Sequence, residues 1–229
     1  MRHLLALPLL LAPLPAFAQQ EDEQLWLQAN GSTEIAEGAR LTLESVARFS
    51  DRAGGFFHDE FGGLATFAVA KGVELGVGYR HVDDYDHGRA KPDEDRLRQQ
   101  VAVTFSKYVS GRVRFEERFQ RSGSEVAVRA RPQVRFTLPV GSKGVSLFAT
   151  QEHFLNFNTT GWGVRSGYER MRNTVGVSLP IAKRLKGDFG YLNQYRFGRA
   201  GARDQMDHIA TFALTLTLDG IFGHHADSD

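Results

Sequence analysis

Charged residues recur at every second position along several short segments, and this spacing is the most chemically suggestive feature of the chain. Arg112, Arg114, Glu116 and Arg118 form one run, and Arg129, Arg131, Gln133 and Arg135 form another. Glu44, Arg48, Glu60, Glu74, Arg80, Arg98, Glu152, Arg170, Arg172, Asp188 and Arg196 hold matching places elsewhere. Arg outnumbers Asp and Glu in this set by about two to one. Such spacing puts the charges on one face of each strand. Enclosed together, guanidinium and carboxylate groups either pair into a packed network, because buried charge persists only when compensated, or line a wet path that favours anions. Small barrels fill their interiors with side chains, which favours the network; the surplus of Arg keeps an anion-selective channel as the alternative.

Other groupings are weaker. His81 to His87 (HVDDYDH) with Pro92-Asp93-Glu94-Asp95 is the densest acidic cluster. Hard cations take oxygen ligands from such loops, but the fixed Gly and terminal Glu of a calcium loop are missing, so it reads as a solvated external loop. Glu152-His153 with Ser146 or Ser166 would supply the parts of a barrel-based lipid hydrolase. Adjacent strand residues point to opposite faces, however, which separates Glu152 from His153. His153 reads instead as part of an interfacial belt with Phe154, Phe157 and Trp162, and Asn158-Thr159-Thr160, a match to the glycosylation acceptor, as ordinary loop. No catalytic residue, metal site or cofactor is assigned.

The elements that position these charges follow from the same alternation. Phe212, Leu214, Leu216 and Leu218 share one face, and Thr211, Ala213, Thr215 and Thr217 the other. Val73, Leu75, Val77 and Tyr79 oppose Glu74, Gly76, Gly78 and Arg80, and Val175, Val177, Leu179 and Ile181 oppose Arg172, Thr174, Gly176 and Ser178. Helical spacing of apolar residues is lacking in these segments. About eleven strands result by this reading. Short turns are expected near Ala36-Glu37-Gly38, Lys71-Gly72, Ser110-Gly111, Gly141 to Gly144 and Ala182-Lys183-Arg184. Longer connections fall at Ser50 to Gly55, Asp83 to Asp95, Arg121 to Glu125, Asn156 to Gly167 and Arg199 to Asp207. Alternating short and long connections are the habit of a transmembrane barrel. Even strand numbers are the rule for such bacterial chains, so ten or twelve strands are expected: either one of the eleven is not a strand, or Leu25 to Ile35 does not span. Pro132 inside a strand marks an edge or a bulge.

Composition agrees with an exported all-β chain. Leu4 to Ala18 follows Arg2 and ends in Ala16-Phe17-Ala18, the pattern of a cleaved signal peptide. The expected organisation is therefore a signal peptide at 1–18 and one outer-membrane β-barrel domain at 19–229. No later stretch approaches the roughly 18 to 20 apolar residues of a membrane helix. Of 229 residues, 28 are Lys or Arg and 27 Asp or Glu; loss of Arg2 leaves 27 against 27. A neutral mature chain argues against a nucleic-acid partner. Cys is absent, which removes disulfides, thiolate ligands and a lipoprotein anchor.

Several motifs together resemble a known family. They are Leu25-Trp26-Leu27, the pair Arg48-Phe49, Phe56-Phe57-His58-Asp59-Glu60, Gly76-Val77-Gly78-Tyr79-Arg80, Phe115-Glu116-Glu117-Arg118-Phe119 and Gly190-Tyr191-Leu192. On these the chain resembles the uncharacterised outer-membrane β-barrel family known as domain of unknown function 2490. That resemblance implies a barrel in the cell outer membrane, with outer-membrane lipid and the barrel assembly machinery as partners, and it carries no activity. One departure is the polar tail His224 to Asp229, where such barrels commonly finish on an aromatic residue. A soluble periplasmic barrel binding an apolar ligand is the competing class, since alternation alone does not say which face is inside.

Overall fold

Alternation becomes strand throughout. The computed structural model describes residues 20–219 apart from Ser142 and Ala200; the expected signal peptide and the polar tail lie outside the described residues. The strands are β1 (Gln20–Ala36), β2 (Ala39–Ser50), β3 (Gly55–Ala70), β4 (Val73–Asp86), β5 (Arg89–Ala90), β6 (Glu94–Thr104), β7 (Val109–Gln120), β8 (Val126–Val140), β9 (Val145–Asn156), β10 (Gly167–Ala182), β11 (Leu185–Arg196) and β12 (Gln205–Thr217). The two-residue β5 only folds against the end of β4, through Tyr85 and Asp86. Without it, the twelve strands leave eleven staves, each antiparallel to the next, closed into a barrel by β1 against β12.

An up-and-down chain with an odd number of staves brings its first and last strands together pointing the same way. The β1–β12 seam is accordingly parallel, running from Gln20↔Gln205 to Ser32↔Thr217. This corrects two expectations: the strand number is odd rather than ten or twelve, and Leu25 to Ile35 is part of a full stave, the middle of β1. Backbone bonds beyond the ladder extend the seam, from Gln20 N to Asp204 O (3.1 Å) at one end and from Leu218 N to Ser32 O (2.7 Å) at the other.

All the short turns gather at one rim and the longer connections at the other. Glu37-Gly38 and Lys71-Gly72 are tight turns with register shifts beside them, and Gly38 and Gly72 adopt φ of 68° and 75°, a region that Gly enters without steric cost. Ser110-Gly111 is not a turn: the chain reverses at Phe105 to Tyr108, and both residues lie in β7. Phe105 N bonds to Val109 O (3.0 Å), and Ser106 Oγ accepts from Tyr108 N and Val109 N (3.2 Å each). At the opposite rim β4 continues to Asp86, β6 starts at Glu94 and β12 at Gln205, so the loops there are shorter than expected. Pro132 sits within β8 opposite Val113, and the ladder to β9 passes from Ala130↔Leu155 to Gln133↔Glu152 around it.

The two faces are opposite in character. Leu43, Phe61, Val77, Phe136, Leu138 and Val175 are among the exposed outward residues, each more than half accessible. Inside, Arg98, Glu116, Gln194, Asp207 and Ser178 are almost wholly buried, with a small apolar cluster of Trp26, Leu192 and Ile209. Where strands approach most closely Gly is required: a Cβ on Gly62 would stand 2.2 Å from Tyr79 O and 2.8 Å from Arg80 Cα. We expect Gly62→Ala to force β3 from β4 and lower the midpoint of thermal unfolding followed by far-UV circular dichroism; an unchanged midpoint would show that the wall yields there.

Candidate functional site

Inward phase is set strand by strand, and it collects the charged side chains into one lumen. Glu44 and Arg48 come from β2, Glu60 from β3, Arg80 from β4, Arg96 and Arg98 from β6, Arg114, Glu116 and Arg118 from β7, Arg129 and Arg131 from β8, Glu152 from β9, and Arg172 from β10. Carboxylates bridge guanidiniums of neighbouring strands. Glu60 Oε1 accepts from Arg48 Nη2 (2.8 Å) and its other oxygen from Arg80 Nη1. Glu44 Oε2 takes Arg80 Nη2 (2.7 Å) and Arg98 Nη2 (2.5 Å). Glu116 takes Arg129 Nε (2.9 Å) and Arg131 Nη1 (2.7 Å), and Arg131 Nη2 continues to both oxygens of Glu152 (3.0 Å each). Arg118 binds Glu94 through Nε (2.8 Å) and Nη2 (2.6 Å), and Arg96 Nε donates to the same carboxylate. Charge-assisted and two-pronged bonds of this kind are the stronger class.

Three expected residues sit apart. Arg135 lies nearer the short-turn end and reaches Asp188 Oδ2 and Ser178 Oγ (3.1 Å each). Glu74 is inward in phase but exposed in the mouth at that end, lining a cavity with Arg112 and Arg135. Arg196 is about a third accessible, its Nε 3.4 Å from Asp207 Oδ2. Arg114 makes its bonds from Nε (3.2 Å) and Nη2 (3.0 Å) to the neutral Gln100 Oε1. Arg172 donates from Nε to Gln194 Oε1 (2.8 Å), and Gln194 Nε2 donates on to Asp207 Oδ2 (2.5 Å).

Aromatic rings complete the layer. Arg48 Cζ lies 4.0 Å and Arg172 Cζ 4.6 Å from the ring centre of Trp26. Arg172 (4.6 Å) and Arg131 (4.5 Å) also stand over Phe154. Arg48, Trp26, Arg172, Phe154 and Arg131 thus form a stack across the lumen, held by attraction between guanidinium planes and ring faces. Phe154 is therefore inside, not in an outward belt with His153. Periodicity held the reason: His153 faces out, its Nδ1 2.6 Å from Tyr168 Oη, while Glu152 and Phe154 face in. Glu152 and His153 are not brought together. Trp26, Arg96 and Gln194 went unassigned in the sequence, although each shares the inward phase of its strand; Glu94 and Asp207, expected in external connections, are instead buried inward residues of β6 and β12, because the strands extend further toward the long-loop rim.

The acidic segment divides at the long-loop rim: His81, Asp83, Asp93 and Asp95 gather on one side, whereas Asp84 turns inward, its Oδ1 2.6 Å from His58 Nδ1, and Glu94 is buried in the lumen. Oxygens or nitrogens of His81, Asp83 and Asp93 lie within 4.8 Å of one another, but Arg121 Nε sits 3.0 Å from Asp93 Oδ2 and His81 Nδ1 is 2.8 Å from Asp95 Oδ1, so these acids already have partners. Asp204, in the connection before β12, accepts from Tyr195 Oη and from Gly198 N (2.7 Å), which holds its carboxyl below the usual carboxylate range.

A family model described as a protein of unknown function (DUF2490) matches residues 23–206. An uncharacterised protein of Methylorubrum extorquens is 35% identical over 152 residues, which cover 64% of this chain and 66% of that protein. No solved structure matches.

If the lumen is held by paired charge, removing Glu116 strands Arg129 and Arg131. Loss of one partner from a buried pair costs roughly 3 to 5 kcal/mol. Glu116→Gln should lower the unfolding midpoint in urea accordingly; a change within the scatter of surface substitutions would show that these pairs do not hold the interior.

Proposed function

We propose, for a chain that belongs to the DUF2490 family, that it is an integral outer-membrane β-barrel with a side-chain-filled lumen, serving a structural or narrow transport role and no catalysis. The orientation of the two faces carries this reading. A soluble barrel that binds an apolar ligand turns its apolar faces inward and its charge to water; here Leu, Val and Phe side chains are exposed around the outside and Arg-carboxylate pairs fill the inside. In hydrocarbon every backbone polar group must be paired within the structure, which a closed barrel achieves. The apolar run from Leu4 to Ala18 supports export.

Fractionation tests the location: the protein should sediment with outer membranes and resist extraction by carbonate, and release as a soluble periplasmic protein would end the reading. Face orientation has its own test. Phe212, midway along β12, is outward and 41% exposed, whereas its neighbour Thr211 lines the interior and donates from Oγ1 to Gly190 O (3.1 Å). Arg on the lipid face at mid-bilayer costs roughly 2 to 4 kcal/mol, so Phe212→Arg should reduce folded, heat-modifiable protein in the membrane far more than Thr211→Arg; equal effects would deny that this row meets lipid.

We place the short-turn rim in the periplasm and the long-loop rim outside. Because of the parallel seam, Gln20 and Asp204 then both stand at the outer rim. With no native Cys, an impermeant thiol reagent on whole cells should label Ser122→Cys and not Lys107→Cys; the reverse pattern inverts the orientation. Planar bilayers complete the test of a filled lumen, for which no stepwise conductance is expected; steady anion-selective steps would favour a channel instead.

A further inference from the structure

The interior charges are not spent equally on both sides of the aromatic stack. On the long-loop side lies a cavity of about 290 Å3 whose wall includes eight Arg and Lys91, against two carboxylates, Glu60 and Asp84. Lys91 and Tyr85 place its mouth toward the long-loop rim. The other carboxylates that compensate its Arg residues, Glu94, Glu116, Glu152, Glu169 and Asp207, do not line the cavity. The charged surface of the cavity is therefore mostly guanidinium.

One further observation points to a missing acceptor. Arg172, which stands between this cavity and the one on the short-turn side, has no carboxylate closer than 3.8 Å. A ligand that brings several oxygen acceptors and negative charge would supply one. A phosphate group does so: its tetrahedral oxygens match guanidinium forks, for which Arg is the preferred partner. We infer that the long-loop-side cavity is a dead-end binding site for a phosphate-bearing anion, seated against Arg172 where the stack closes the lumen. The site belongs to the folded interior, and its existence does not depend on whether the outer face meets lipid.

Trp26 is a built-in reporter, since Arg172 and Arg48 lie over its ring. Trp162→Phe leaves it as the single Trp. In the detergent-purified barrel, inorganic phosphate should shift Trp26 emission saturably and raise the thermal midpoint, relative to chloride at matched ionic strength, as expected for a ligand that binds the folded state. Glycerol 3-phosphate forms the second arm: tighter binding than inorganic phosphate identifies an esterified phosphate as the ligand class, and weaker binding identifies the free anion. Arg172→Gln should weaken binding at least about tenfold; because no close carboxylate is stranded by it, the fold should persist, and the Trp26 titration in the Trp162→Phe background stands in if it does not. Absence of any saturable response to either probe, or undiminished binding by a folded Arg172→Gln variant, would overturn the inference.

Discussion

Compensation of guanidinium charge inside a closed cylinder is the constraint on which the rest of the structure depends. Each central carboxylate holds two Arg residues at once: Glu60 holds Arg48 and Arg80, Glu44 holds Arg80 and Arg98, and Glu116 holds Arg129 and Arg131. These bridges run between strands, Glu44 of β2 reaching past β3 to β4 and β6, and so fix register from within. A slip by one residue would turn a strand's charges outward and its Leu and Phe inward. Desolvation offsets much of the attraction in a buried pair, so the net gain in stability over an apolar core is small. What the network supplies is specificity, because one register satisfies all of the pairs.

Closure with eleven staves imposes the second constraint. An even meander returns its ends to the same rim as an antiparallel pair; an odd one ends with a parallel seam, whose slanted bonds pair slightly less well per residue. The seam is reinforced where it is weakest, at its ends, by Gln20 N to Asp204 O and Thr33 Oγ1 to Asp219 O. Inside, it is backed by Trp26 and Ile209. The densest apolar packing of the lumen thus lies behind the one pairing that differs from the rest.

Much of this was legible in the sequence because a barrel wall is a local object. Period-two alternation assigns faces without knowledge of neighbours; Arg114, Glu116, Arg129 and Arg131 share one phase on their strands and are buried. It also ruled out a shared site for Glu152 and His153. Parity of the strand number was not legible, since nothing local in Leu25 to Ile35 tells a parallel partner from an antiparallel one. The turn at Phe105 to Tyr108 was obscured by Gly111, a residue read as a turn signal but lying within β7, where a Cβ would stand 3.0 Å from the Phe105 ring. Phe154 was misplaced for a different reason: an aromatic residue near a strand end suggests a lipid interface, and only its Arg neighbours reveal an interior ring.

The distribution of the two basic residue types fits the same physics. Lys71, Lys107, Lys143 and Lys183 lie in the short turns, Lys186 just after them and Lys91 in the long-loop connection, so none reaches the central layer. Arg fills that layer instead. A Lys ammonium is a compact and strongly hydrated charge, whereas the guanidinium is planar, weakly hydrated, able to bridge two carboxylates and able to lie flat on a ring. Arg131 uses all of these properties at once, bonding Glu116 and Glu152 while its plane stands over Phe154. A Lys at that position would keep the charge but lose the bridge and the stack, so that either Glu116 would rest on Arg129 alone or Glu152 on Arg112. The interior is thus built on the shape of the guanidinium as much as on its charge, and that shape is also what a tetrahedral oxyanion requires.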